Sequence, residues 1–466
     1  MTFSIEEVLK ATGGKLLQGK KSASFRGVST DSRTVREGDL FVALKGTRFD
    51  GHQYAVEALK KNAGGILIEE DKAKAIHWNG FRSKAIIAVK DTLRSLGDLA
   101  GDRRERNKVP VVALTGSNGK TTTKEMISAC LETTVAVLKT RGNYNNLIGL
   151  PLTLLSYTGK EKVIVVEMGM NVPGEIGRLT EIANPDVGLI TNIHKVHLEG
   201  LGSLERVKEE KGELFRRMKR DGTIVVNQND PRVIDLAQEF PGRKVTFGVE
   251  TAADVVAKKT QLLGAKGISF LLSAGGQESE VILPVLGRHF VPGALAAVAV
   301  SMLFGVEFKR AKEALEQFKP FPMRMEVCPL RGGRTLINDV YNANPKSMEL
   351  SLETLVEVKG NGRTVAVLGD MLELGDFAKE AHRQLGQRIK ALSIDFLLAM
   401  GKWAPVVVES AVRHGFEAEK TKIVQTHEEA IAALKQVTQE GDWILVKGSR
   451  GMAMEKVVEG LREGRA

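Results

Sequence analysis

Residues 115 to 126 read TGSNGKTTTKEM. The stretch follows the apolar run VVALT (111–115) and precedes a helical pattern, so it has the strand, glycine loop and helix order of a phosphate-binding loop. Gly116 and Gly119 permit the tight turn that points successive N–H groups at an anion. Lys120 is placed for the β and γ phosphates of a nucleotide and Thr121 for a Mg²⁺ ion. A helix expected to begin near Thr122 turns its positive end to the same phosphates. The general pattern G-x-x-x-x-G-K-[ST] wants glycine where this chain has Leu114, so strand and helix context carries the reading more than the literal motif.

Outward from the loop, apolar runs alternate with helical patterns: VVALT then KEMISACLETT, KVIVVEMG then GEIGRLTEIA, VGLITN then LERVKEEKGELFRRM. Such runs, bounded by Gly, Asn and Pro, predict buried parallel strands joined by helices, hence an α/β domain. TVAVLGD, FLLAMG and WILVKGS repeat the pattern near the end of the chain. Ligands of such sheets collect at the carboxyl ends of the strands. The charge-rich run GDRRERNKVP (101–110) and the proline-bearing FKPFPMRMEV (318–327) read as boundaries. They divide the chain into domains 1–108, 109–318 and 319–466, with closure expected through the segments near 108 and 320.

A chain of 466 residues suits roughly three domains of about 150 residues each. No apolar run is long enough to span a membrane, and the N-terminus lacks a basic segment followed by an apolar one, so a cytoplasmic protein is expected. Cys130 and Cys328 form no CxxC or Cys/His cluster, which argues against a disulfide framework or structural zinc. The net charge of +10 is spread along the chain and aromatics are 5%, which argues against nucleic-acid binding and leaves phosphorylated small molecules as partners.

Three residues downstream of the loop are candidates for metal and substrate chemistry. Glu167 ends the strand KVIVVE, where a carboxylate could reach the Mg²⁺ of a loop-bound nucleotide. His194 and His197 both lie in TNIHKVHLEG, and spacing does not choose between them. Lys211 sits in the helical pattern LERVKEEKGELF, where the ordinary expectation is a solvated charge.

With these segments in hand, the sequence resembles the Mur ligases over nearly its whole length. The carriers are VSTDSRTVREGDLFVALKG and RFDGH; TGSNGKTTT, RGNYNNLIGLPLTLL, VVEMGM, TNIHKVHLEGLGS and EEKGELF; and PMRME, INDVYNANPKSM, LGDMLELG and VKGSRGMAMEKVV. Within the family they are most similar to the members that join D-alanyl-D-alanine to UDP-N-acetylmuramoyl-tripeptide. The family loop is written G-[ST]-[NS]-G-K-[ST], which accommodates Leu114. The resemblance implies a small α/β UDP-sugar domain, a central phosphate-loop ATPase domain with a mostly parallel sheet, and a C-terminal Rossmann-like domain. It implies that Gly116, Ser117, Asn118, Gly119, Lys120, Thr121 and Thr122 bind ATP, with Arg324, Asn338 and Asp339 facing it from the last domain. It implies that Thr121 and Glu167 hold one Mg²⁺ near the β and γ phosphates, that His197, the histidine in the family position, helps hold a second, and that Lys211 is a further metal ligand. Lys211 falls where the family carries a carbamoylated lysine, an oxygen donor made from a cation. Ser32, Arg33, Asp50 and His52 match positions near the uridine diphosphate. Asn145, Asn146, Tyr341, Asn342 and Asn344 are implied on the substrate side. A monomer is expected.

Two departures stand out. The family usually has an asparagine, used for adenine, where this chain has Gly293 in GRHFVPGALAA, and HKV precedes His197 where a glycine, an acid and an alanine are common. Competing classes fit less well. The ligase for the third amino acid carries a D-N-P-R motif absent here, and folylpolyglutamate synthases lack the DSR and DGH segments. A switch or motor NTPase needs a Walker-B aspartate or NKxD in clear form. A non-catalytic nucleotide module would not need Glu167, His197 and Lys211 together.

Overall fold

The computed structural model describes residues 2–46, 49–196 and 198–462. Besides a two-stranded antiparallel pair, Phe3–Ser4 with Ser24–Phe25, three larger sheets follow one another along the described chain, each built mostly of parallel strands. The first holds five strands in the order 15–18, 85–89, 65–69, 40–42, 28–29, with only Lys15–Gln18 antiparallel to its neighbour.

The second sheet has nine strands, ordered 277–283, 268–274, 255–262, 243–249, 223–227, 187–190, 111–115, 163–167, 137–139. The seven from 255–262 onward are parallel, and every residue of Val111–Thr115, Val163–Glu167 and Val187–Ile190 is buried. Burial on both faces is why these segments read as continuous apolar runs. The remaining two strands form an antiparallel hairpin that the sequence reading passed over. Ala274 pairs with Gln277, so Gly275 and Gly276 make a two-residue turn with φ of +57° and +76°, values glycine adopts freely. The third sheet orders its six strands 326–329, 335–339, 443–447, 364–369, 396–400, 421–424, with only the first pair antiparallel.

In the nine-stranded sheet the chain leaves Val111–Thr115 toward one side and returns on the other. The loops after residues 115, 167 and 190 therefore diverge and open a crevice. The helix Val291–Leu303 packs against the helix that follows the phosphate loop and is buried nearly all round. Each of its larger aliphatic side chains withdraws area worth about 1.5–3 kcal/mol. One apolar cluster runs from this helix into Ile337, Leu352 and Leu368 of the last sheet unit, so the two units share packed surface.

The charged run at residues 101 to 110 is not an open linker. Its first seven residues end the helix Thr92–Asn107, which packs on the helices Gly149–Leu155 and Glu175–Ala183. Arg104 is buried, donates to the carbonyls of Ala183 and Asn184, and pairs with Asp186 at 2.7 Å. Charge in this run closes the end of a neighbouring helix instead of meeting water. Near residue 320 the path differs in kind: Met323 and Met325, on either side of Arg324, have φ of +62° and +52°. Their N–H groups donate to Glu326 and Asp339.

Candidate active site

The phosphate loop is pinned before anything binds it. Gly116 has φ +148°, and a Cβ there would lie 1.9 Å from Thr191 Oγ1. Gly119, at φ +79°, stands at the N-cap of the helix Lys120–Glu132 without a side-chain cap, which leaves the helix's first N–H groups to face an anion. The helix begins two residues earlier than expected. Ser117 Oγ accepts from the N–H of His194 at 2.8 Å and donates to its carbonyl at 3.0 Å. Asn118 N–H donates to Asn192 Oδ1 at 2.9 Å, and Thr191 Oγ1 donates to the Asn118 carbonyl at 2.7 Å. Substituting Gly116 with alanine should therefore shift the loop and lower ATP turnover by about 10²-fold while nucleotide-independent folding survives, read by steady-state kinetics beside a melting curve.

Lys120 Nζ donates to the Gly116 carbonyl at 2.7 Å. Burial holds its amine below the ordinary lysine value, opposed by the Glu167 carboxylate and reinforced by Arg324. Glu167 is 2% exposed: Oε1 accepts from Asn145 Nδ2 at 2.8 Å, while Oε2 is buried with no hydrogen-bond partner. An unpartnered carboxylate oxygen beside a threonine hydroxyl and a phosphate loop is a donor set that suits Mg²⁺, which takes few protein ligands and completes its shell with phosphate and water. Among the described residues no three His, Cys, Asp or Glu side chains cluster as a self-sufficient metal cage. His197 lies outside the described residues. Lys211, on the helix Leu204–Arg217, is 1% exposed, and burial together with the charge of Lys120 pushes its amine well below the usual range.

The last sheet unit closes the other side. Arg324 donates to Thr121 Oγ1 at 3.0 Å and stacks over the Tyr341 ring at 3.9 Å. Asn344 caps the helix Pro345–Val358 by accepting from Ser347 N–H, and its Nδ2 donates to Asn118 Oδ1 at 2.6 Å. Asp339 accepts from Lys447 Nζ at 2.5 Å, from Ser351 at 2.7 Å and from Met325 N–H at 3.2 Å, so it braces this wall. Lys120, Thr121, Glu167, Lys211, Arg324 and Tyr341 all line one cavity of about 410 Å³.

Not every candidate meets there. Asn338 sits on the opposite face of its strand from Asp339 and donates to Glu326 at 2.9 Å. Asn146 does line the cavity, with its Oδ1 accepting from the N–H groups of Ile148 and Gly149. The first-unit residues lie outside this cavity. His52 Nδ1 meets Asp50 at 2.5 Å, the Ser32 carbonyl accepts from Lys61, and exposed Arg33 grips Asp31 bidentately, holding its carboxyl down at about 2. Sequence reasoning missed Thr191, Asn192 and Lys447. Asn192, next to a strand end in TNI, and Lys447 in VKGS each carried the same strand-tip signal that marked Glu167.

A phosphate loop at a strand-order reversal, roofed by a second α/β unit that reaches its threonine and asparagine, defines a nucleotide-using enzyme whose site is completed by domain apposition. The chain belongs to the Mur ligase family. Models of the Mur ligase family catalytic domain, the Mur ligase middle domain and the Mur ligase glutamate ligase domain match residues 24–104, 114–301 and 323–450. It is similar to the UDP-N-acetylmuramoyl-tripeptide--D-alanyl-D-alanine ligases of Bacillus subtilis (strain 168) and Escherichia coli (strain K12). Each is 37% identical over 94% of this chain and 93% of the relative. Among solved structures, MurF from Acinetobacter baumannii superposes with a TM-score of 0.90 at 33% identity, covering 99% of each chain. MurF ligase from Thermotoga maritima in complex with ADP gives 0.82 at 32% identity, covering 95% of this chain and 99% of that one.

Proposed function

We propose that the chain is an ATP-dependent ligase that forms an amide between UDP-N-acetylmuramoyl-tripeptide and D-alanyl-D-alanine, in the synthesis of the peptidoglycan precursor. The observation that carries this reading is the shared cavity, which the phosphate loop and Glu167 line from one side and Arg324 and Tyr341 from the other, with Arg324 reaching Thr121 directly. We place the reaction in the cytoplasm, on a monomer. No described helix is long and apolar enough to cross a membrane.

Amide formation from a carboxylate and an amine is uphill in water, so the tripeptide carboxylate takes the γ-phosphoryl group of ATP, forming an acyl phosphate and releasing ADP. The dipeptide amine attacks the acyl carbon, a tetrahedral intermediate forms, and phosphate leaves with the C–O bond electrons. Lys120 and the loop N–H groups stabilise charge on the transferring phosphoryl group, and Arg324 adds a cation from the opposite wall. Thr121, Glu167 and His197 are the residues for Mg²⁺, which when bound neutralises the β and γ phosphates. Burial and the charge of Lys120 disfavour the ammonium form of Lys211. Adding CO₂ to its nitrogen forms an N–C bond, releases one proton and leaves a carboxylate beside the phosphate site. Closure of the units keeps water from the acyl phosphate. Ser32, Arg33, Asp50 and His52 would hold the uridine diphosphate end, with Asn342 near the incoming amine.

A second cavity of about 260 Å³ shares Asn118, Gly119 and Thr122 with the loop and has Phe247, Phe290 and Gly293 in its walls, which makes it the seat for the nucleobase. Its amides are already engaged: Asn192 with Asn118, Asn227 with Thr191 and Asn229, and Asn229 with Val249. A Cβ on Gly293 would come within 2.8 Å of Thr123 Oγ1. The base is then selected by shape. GTP should support turnover with kcat/KM within about 200-fold of ATP, against the 10⁴-fold or greater rejection typical of a dedicated hydrogen-bond reader.

The deciding experiment is phosphate release by the purified protein with Mg-ATP and UDP-N-acetylmuramoyl-tripeptide, with and without D-alanyl-D-alanine. Release that requires the dipeptide, with a product heavier by that dipeptide, is expected. Turnover instead with the dipeptide-stage precursor and a diamino acid would reassign the chain to the neighbouring ligase.

A further inference from the structure

Beside the phosphate loop lies a third cavity, of about 470 Å³, which shares only His194 and Arg232 with the nucleobase cavity and is otherwise unused by the chemistry above. One wall comes from the central unit through Ile193, His194, Lys195 and Arg232, the other from the last unit through Lys346, Glu349, Leu385 and Arg388. Its floor is apolar, formed by Ile193, Leu204 and Leu385 among others, while its rim carries four cations and one acid. That acid is shared: Lys346 donates to Glu349 at 2.8 Å and Arg388 leans on it at 3.3 Å. Arg388 also pairs with Glu353, yet its Nε is buried without a hydrogen bond. Arg232 and Lys195 make no ion pair among the described residues, although Lys195 lies over the Phe377 ring at 4.6 Å. Two guanidinium forks and two ammonium groups above an apolar floor leave an uncompensated positive field, which fits a small amphipathic anion.

The cavity is also wired to the loop at both walls. His194 clasps Ser117 Oγ with both its N–H and its carbonyl, and it lines this cavity. Asn344, the partner of Asn118, immediately precedes Pro345 and Lys346, which line the other wall. Anything that bridges the two walls therefore favours the same apposition of units that brings Arg324 to Thr121.

We propose that this crevice is an effector site for a small anion carrying one acidic head group and a compact apolar body, and that its occupancy strengthens nucleotide binding by holding the two units together. The coupling part of the proposal rests on the nucleotide reading of the loop; the site itself does not. Because coupling free energy is reciprocal, nucleotide must strengthen the anion's binding by the same factor.

The test uses the full chain and two probes, naphthoate and naphthyl phosphate, titrated calorimetrically with and without ADP. ADP is also titrated alone. The expected result is saturable one-to-one binding of at least one probe, tightened about fivefold or more by ADP. Arg388→Gln, at a residue that lines neither the phosphate-loop cavity nor the nucleobase cavity, should weaken the probe by about tenfold while leaving probe-free turnover unchanged. The stronger probe identifies the head group as carboxylate or phosphate. No saturation by either probe at about 10 mM, binding indifferent to Arg388→Gln, displacement of the probe by ADP, or a site that ignores ADP would each overturn the proposal. If ADP itself fails to bind, the nucleotide reading falls, whatever the probes do.

Discussion

Lys120→Ala is expected to reduce dipeptide-dependent phosphate release by about 10³-fold or more, with KM for the tripeptide nearly unchanged. The reason lies in position and field. Lys120 emerges at the first turn of a helix whose N–H groups face the same point, and its amine sits in a crevice that burial has made electrically sensitive. No other lysine of the cavity is placed to substitute for it, because burial and the charge of Lys120 disfavour the charged form of Lys211 and Lys447 is committed to Asp339. The variant should fold: Lys120's hydrogen bonds run only to the carbonyls of its own loop, and truncating it removes a partly desolvated cation. A melting temperature equal to or above that of the parent, beside lost turnover, is the expected pair of readings. Retained turnover would show that the loop does not carry the reacting phosphate.

Lys211→Ala is expected to cost comparably in turnover, for a different reason. An ordinary lysine with pKa near 10.4 is neutral in about one molecule in 250 at pH 8, too few to capture CO₂ efficiently. Burial and the nearby charge of Lys120 lower the folded-state value of Lys211, which favours the neutral amine that captures CO₂. Protein stripped of CO₂ should lose activity and regain it on addition of bicarbonate, and intact mass under mild conditions should show one CO₂ adduct that the alanine variant lacks. The pH dependence of the unmodified amine has a definite sign. The unfolded chain binds the proton at a higher pH than the folded one, so stability falls as pH drops from the unfolded value toward the lowered folded one, and is level below that. Lys211→Met should flatten this slope in CO₂-free buffer, measured by denaturant unfolding at several pH values. An unchanged slope would mean the amine is not held neutral.

The parts of this molecule legible in the sequence were those with a local cause. Strands buried on both faces print continuous apolar runs, and the phosphate loop prints its glycines, lysine and threonine within seven residues. Glu167 was legible because a carboxylate ending an apolar run must sit at a sheet's rim. What could not be read were contacts whose partners lie far apart in sequence. Asn118 and Asn344 are separated by 226 positions, and nothing local predicts that a helix cap reaches a phosphate loop. Asn338 and Asp339 are neighbours in sequence, yet strand alternation turns one toward Glu326 and the other into the bracing network. The arginines of residues 101 to 107 could not be told apart in sequence: Arg106 is exposed, whereas Arg104 closes a helix end from within. The glycine turn at 275–276 was legible in principle, between two alternating strands, and was overlooked.

The left-handed backbone at Met323 and Met325 has an energetic meaning. Each costs about 1–2 kcal/mol relative to an ordinary conformation, and neither residue is glycine. The arrangement persists because Glu326 and Asp339 grip the two N–H groups and Arg324, between them, is drawn to Thr121 and Tyr341. This short crossing therefore carries strain on the order of 2–4 kcal/mol, balanced by contacts the last unit makes with itself as well as by the reach of Arg324 to the phosphate loop. Met325→Gly should relieve part of that cost, since glycine adopts the left-handed region freely, and its effect on stability is read by denaturant unfolding.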